Sequence, residues 1–494
     1  MNLKQWCELD ERIYIGETDE QYKQYAGFDY SEKLIEQLAE IKLYNSKIFI
    51  DFFSDPRALL LGAIEDTAYS KNKKLELELH NTRNTKIVST KHKFKDSFVN
   101  WSTWRQFNSL EKNQLNRKEV FDEFIAKTKY ISPIVESRFS SIKRVYREHQ
   151  IVKDAKDSDK ISPLSSYLEN ENVSYNQLIE FIKSIGNRAK KPFRDALTDI
   201  SKKMLGREPE YYDDFYFFRN KVYSSLDTNF SSVDPLIEVR KLLAFMQFDL
   251  TKIVFDTESR KNKYPSPICF FVQIPNDIRI LYKEESPYFD LQGCFHEFGH
   301  AMHASSIDAN NEYWNKYRIP MGIAEIFSIF LERLTKNPNY VRSLLPSNKG
   351  NIDDIVSEIA SRNKFMELFF VTFYTANSLM KLDYWNKNLS VDDASNVYSA
   401  LIKEYVGLEI PGEYWLLHHI LPEAIMYVPS YLLAAVRAAE LDIYMKNKLG
   451  DKWWTERESG KNLSEIMKPG ANIDLSIFSK LDITTYMKEI TEPV

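Results

Sequence analysis

His296-Glu297-Phe298-Gly299-His300 sets two imidazoles four residues apart with a carboxylate between them. A helix advances about 100° per residue, so His296, His300 and His303 share a sector of about 60°. Two imidazoles on one helical face can reach one divalent ion. Glu297, one step round the helix, can reach a water on that ion without binding it. Leu291, Phe295, Phe298 and Met302 fall at about 200–260°, which gives the same helix an apolar face to bury. The chemistry served by such a pair is metal-assisted hydrolysis. His296, His300, His303, His418 and His419 are five of the eight histidines in the chain, gathered in two short stretches.

A catalytic zinc takes three protein ligands and keeps a fourth position for water. The third ligand must come from a second element. Met321 to Leu334 has helical spacing, with Ile323, Phe327, Phe330, Leu331 and Leu334 to one side and Glu325 and Glu332 to the other. Glu325, on an otherwise apolar helix, needs a buried partner, and a metal supplies one. Glu332 reads either as a solvated or capping glutamate or as the acceptor for a ligating imidazole. His303 shares the metal face but follows His300 by only three residues, so it is placed beside the ligands as a packing or substrate-side residue. Asp308 and Glu312 come too soon after the first helix to lie on a returning one. A site of two His and one carboxylate accepts several metals; zinc is the expected one.

These side chains need helices to position them, and the sequence supplies helix signals. Ser31 is an N-cap for a helix over 31–53, with Leu34, Ile35, Leu38, Ile41 and Tyr44 on one face. Ser174-x-x-Gln177 forms a capping box before Leu178, Phe181, Ile182 and Ile185, with Gly186 as the expected stop. Ser390 opens another helix that Gly407 closes. Residues 153–172 are polar and aperiodic and read as a surface connection. Ile268 to Ile274 and Ile278 to Tyr282, separated by Pro275-Asn276-Asp277, predict a β-hairpin.

Composition agrees with a mainly α protein. The 494 residues contain only 14 glycines, a poor turn supply for a many-stranded fold. At this length two lobes or two closely packed domains are expected. A net charge of −5 gives no basic field for nucleic acid. No run of 18 apolar residues and no signal-peptide pattern occurs, so no membrane segment is expected and the chain reads as cytoplasmic. Cys7, Cys269 and Cys294 are an odd, scattered set that fits a reducing compartment and offers no thiolate zinc site.

Phe295-His296-Glu297-Phe298-Gly299-His300-Ala301-Met302-His303, then Ile323-Ala324-Glu325-Ile326-Phe327-Ser328 and Glu332, resembles the thimet oligopeptidase and oligoendopeptidase F family of zinc metallopeptidases. The resemblance spans about 265–440. It implies a two-lobed helical fold around a deep central cleft, lined by the hairpin, that admits short unfolded peptides. The expected division is an N-terminal helical lobe over 1–255 and a catalytic lobe over 256–494. The resemblance also implies substrate contacts from His418 or His419 and oxyanion donors from Tyr427 and Tyr431, with His418 in the better register. Pro429 between the tyrosines starts a helix turn and leaves open whether they point the same way. The expected activity is hydrolysis of internal peptide bonds by a zinc-activated water, one Zn²⁺ per chain, with Glu297 as general base. Two other readings are a metallocarboxypeptidase of the carboxypeptidase Taq type and a non-catalytic zinc-containing peptide-binding protein. The sequence does not fix an oligomeric state.

Overall fold

The computed structural model describes residues 1–53, 55–94, 97–151, 162–213, 224–260, 263–264, 267–284, 287–345, 351–417, 426–478 and 481–492. Helices dominate them. Near the N-terminus, α1 (Leu3–Ala26), α2 (Glu32–Phe52) and α3 (Arg57–Lys71) follow one another. Ser31 caps α2 as expected, its side chain accepting the Leu34 N–H at 3.1 Å.

The buried face of α2 differs from the predicted one. Ala39, Asn45, Ser46, Phe49 and Ile50 are buried, while Leu34, Ile41 and Tyr44 are exposed. The reason is polar. Asn45 Nδ2 donates to Asp10 at 2.9 Å and the Asn45 carbonyl accepts the Trp6 indole N–H at 2.7 Å, so hydrogen bonding turns a polar residue inward.

Within the predicted surface connection, 8 residues form a helix, α4 (Pro163–Asn170), opened by a Ser162–Ser165 capping box; residues 152–161 lie outside the described residues. The Ser174–Gln177 capping box starts α5 (Tyr175–Leu205), but this helix runs through Gly186 and Pro192 and stops at Gly206, whose φ is 70°. Gly186 is a contact residue instead of a terminator. A Cβ there would lie 2.4 Å from Thr375 Cγ2 and 2.8 Å from Tyr405 Cε1, so the glycine lets another helix pack against the backbone of α5.

The described strands form two small sheets: a hairpin of β1 (Lys91–Phe94) and β2 (Ser97–Asn100), and a three-stranded sheet of order β3–β5–β4. In the latter, β4 (Ile268–Gln273) and β5 (Asp277–Leu281) form the expected antiparallel hairpin. The third strand, β3 (Ile253–Asp256), pairs in parallel with β5 and was not anticipated. Four residues are too few for a period to show, and the partner is remote in sequence.

The C-terminal half contains α6 (Pro287–Ser306), α7 (Met321–Glu332), α8 (Ile352–Lys387), α9 (Val391–Tyr405), α10 (Val428–Leu449) and the short α11 (Thr484–Thr491). Ser390 caps α9, and Gly407 follows it with φ 87°, as the sequence indicates. A contiguous apolar cluster extends from Trp6 and Phe49 through Phe295 and Phe327 to Ile490, so helices from both halves share one core. Polar ties reinforce it: Arg318 reaches Asp10 of α1 at 3.0 Å and also pairs with Asp66 of α3. Among the described residues no helix is long and apolar enough to cross a membrane.

Candidate active site

The helix α6 carries the His-Glu-x-x-His residues, and its opposite face is buried as predicted: Leu291, Phe295, Phe298 and Met302 are each 0% exposed. The next helix, α7, comes unusually close. A Cβ at Gly299 would lie 2.3 Å from the Phe327 carbonyl oxygen and 2.5 Å from Ser328 Cα, so only glycine permits this approach. The glycine inside the motif thus sets the helix separation that brings Glu325 to the two histidines.

Glu325 Oε2 lies 3.3 Å from His296 Nε2 and 3.4 Å from His300 Nε2. Among the described residues these three alone form a cluster able to hold a metal, their ligand atoms within 4.8 Å of one another. Two donors each about 2.0–2.1 Å from one tetrahedral ion stand about 3.3–3.4 Å apart, so the donor set fits zinc in spacing as well as in chemistry. Glu325 is 3% exposed, and Ser328 Oγ donates to its Oε2 at 2.8 Å. Burial alone would raise its pKa, but His300 and His296 outweigh burial and hold the carboxyl far below its ordinary range.

Glu332 resolves to the imidazole acceptor. His296 Nδ1 lies 3.0 Å from Glu332 Oε2. With Nδ1–H donating to that carboxylate, Nε2 keeps its lone pair for a metal. The chain of contacts continues outward: Lys336 Nζ binds Glu332 at 2.8 Å and Glu367 at 2.6 Å, and the Tyr486 hydroxyl of α11 donates to Glu367 at 2.8 Å. Despite the cost of burial, Lys336 and His296 keep the Glu332 carboxyl down at about 2, so it stays anionic.

Glu297 has the opposite electrostatics. Burial raises its pKa above the ordinary 4.5, and the charge of Glu325 adds to that rise against the opposing pull of His296 and His300. The nearby backbone N–H of Cys269, on the edge strand β4, works against that rise. The Phe271 ring, two residues along β4, sits edge-on to His300 with centroids 6.2 Å apart. Phe271 was not singled out in the sequence and Cys269 was noted only as a thiol; its backbone N–H lies in the plane of the sheet, which the period-2 side-chain pattern does not report.

Tyr427 and Tyr431 do converge. Pro429 lies in the first turn of α10, and the two hydroxyls are in hydrogen-bond contact, with the rings edge-on at 4.7 Å. Burial first, then the charge of Glu325, pushes the Tyr431 pKa well up, so this hydroxyl feels that carboxylate and stays protonated. Tyr374 and Phe370 of α8 flank it, at centroid distances of 5.5 and 6.5 Å. Nothing in the spacing of α8 distinguishes these two from core aromatics. His303 is 0% exposed, with its ring 4.5 Å from that of Phe327. Burial, then the neighbouring His300, depresses its pKa to about 3, which keeps it neutral. His418 and His419 lie outside the described residues.

Comparison with known proteins gives the family and the fold. The family model for peptidase family M3 matches residues 66–471, which extends well into the N-terminal half. The fold is similar to that of a solved PZ peptidase A with inhibitor 2, with a TM-score of 0.60 and 14% identity, covering 99% of this chain and 85% of that one. No curated protein matches the chain by sequence comparison. With the family model spanning most of its length, the chain belongs to peptidase family M3, the metallopeptidases.

Proposed function

We propose that the protein is a zinc-dependent oligopeptidase that hydrolyses internal bonds of short, unfolded peptides. The observation that carries this reading is the spacing of His296 Nε2, His300 Nε2 and Glu325 Oε2, which would hold the ion. A zinc bound there supplies a water whose pKa falls to about 7 and a Lewis acid for the scissile carbonyl. Glu297 takes the proton of the attacking water and returns it to the leaving amine, a role suited to a carboxyl of raised pKa. Tyr431, protonated and joined to Tyr427, donates a hydrogen bond to the carbonyl oxygen as it gains charge. The edge strand β4 offers backbone groups to an extended peptide beside the metal ligands, and an extended chain is what an unfolded substrate presents. His418 and His419 are proposed as further substrate contacts. The free thiols Cys7, Cys269 and Cys294 fit a cytoplasmic setting.

The test uses matched peptides with free and amidated C-termini, digested by the zinc-loaded protein and read by mass spectrometry. Internal cuts at the same positions in both are expected. Loss of cleavage on amidation would show a carboxypeptidase, and peptide binding without any cut would show a non-catalytic binding protein.

A further inference from the structure

We infer that Glu171, far from the motif in sequence, is a positioning residue that locks the helix of the third metal ligand to the helix of the oxyanion tyrosines. The inference rests on the proposed function for the meaning of those two helices. Glu171 ends α4, is 3% exposed, and spends both carboxylate oxygens on α7 and α10. Oε1 accepts the Gly322 backbone N–H at 2.7 Å and the Ser430 hydroxyl at 3.1 Å. Oε2 lies 3.4 Å from the Arg437 guanidinium, which in turn donates to the Gly322 carbonyl at 3.1 Å.

Each contact falls next to a working residue. Gly322 is one turn before Glu325, and Ser430 directly precedes Tyr431. The first residues of α7 have no cap of their own, since the N-cap is Pro320 with no side-chain hydrogen bond. Glu171 is therefore the cap, supplied from a different part of the chain, and its charge suits the positive end of the helix. Gly322 is shaped for this contact: a Cβ there would stand 2.2 Å from Glu171 Oε2. A rotation of α7 about its axis, or a slide of α10 along it, would break at least one of these bonds.

Two substitutions at Glu171 separate acceptor geometry from charge. Glu171→Gln keeps an oxygen for Gly322 and Ser430 but leaves Arg437 without its counter-charge. It should lower Tm while metal affinity, measured by competition with a chromophoric chelator, and kcat stay within about threefold of wild type. Glu171→Ala removes the acceptor and should weaken metal binding about 10–100-fold, as loss of a group that orients a ligand does, with kcat falling at least tenfold and KM nearly unchanged. Should that variant not fold, Ser430→Ala tests the tyrosine arm alone: kcat should fall several-fold with metal affinity intact. Metal affinity and kcat that merely track Tm across Glu171→Gln and Glu171→Ala would overturn the inference, as would an unchanged kcat in Ser430→Ala. A wild-type protein that binds metal yet cuts no peptide would defeat the proposed function and leave the metal-affinity comparison standing.

Discussion

At the scale of the residue, the site holds three carboxylates whose different surroundings suit the different tasks proposed for them. Glu325 and Glu332 face imidazoles and a lysine and are pulled toward the anion, while Glu297 is pushed toward the acid. A ligand must remain charged, whereas a proton carrier must be able to gain and lose a proton near its working pH. In its proposed role Glu297 serves only when deprotonated, so kcat/KM should fall on the acid side, and a rate profile over pH 4–8 checks this. Glu332→Ala takes away the acceptor that fixes the His296 tautomer. Its metal affinity should drop about 10–100-fold, read by chelator competition.

At the scale of the element, the proposed metal centre depends on how closely α6 and α7 approach at Gly299. Gly299→Ala would place a methyl carbon within 2.3 Å of the Phe327 carbonyl, and backbone cannot yield as a side-chain tip can. The helices would have to separate, which should cost about 1–3 kcal/mol of stability and weaken metal binding at the same time. Thermal denaturation and chelator competition on one preparation measure both.

The ligand helices were legible because their chemistry and their apolar faces share one helical period. The caps at Ser31, Ser174 and Ser390 were legible because capping is local. Gly186 misled, since a glycine that ends a helix and a glycine that admits a neighbouring helix look alike until Thr375 and Tyr405 are in place. Glu171 was hidden for the same reason: its partners lie 151 and 259 residues away. Likewise β3 depends on a partner in β5 that its four residues do not announce.

At the scale of the whole molecule, N-terminal helices are tied to the C-terminal half by buried polar contacts as well as by the shared core. Arg318, three residues before α7, pairs with Asp66 and Asp10, and the Tyr313 hydroxyl donates to Asp10 at 2.6 Å. Arg318→Met would leave two buried carboxylates short of a partner. The loss should be about 3 kcal/mol, the low end for a broken buried pair, because Lys42 remains 3.3 Å from Asp66. Urea denaturation reads that loss.

The pH dependence has a fixed sign. Burial would raise the Asp66 pKa, but Arg318 and Lys42 lower it below the ordinary 3.8. Its contribution is therefore complete above that value and is lost as the pH falls further below it, and Arg318→Met should lose less stability over that acid range than wild type does.

In the proposed function His296, His300 and Glu325 hold the ion and Glu297 moves the proton. The most direct measurement compares wild type and Glu297→Gln, each stripped of metal and reloaded with one equivalent of zinc, on a mixed pool of short peptides read by mass spectrometry. Wild type should cut internal bonds only when loaded, and Glu297→Gln should bind zinc equally well with cleavage reduced at least about 100-fold. Undiminished cleavage by the stripped wild type, or by loaded Glu297→Gln, would contradict the account.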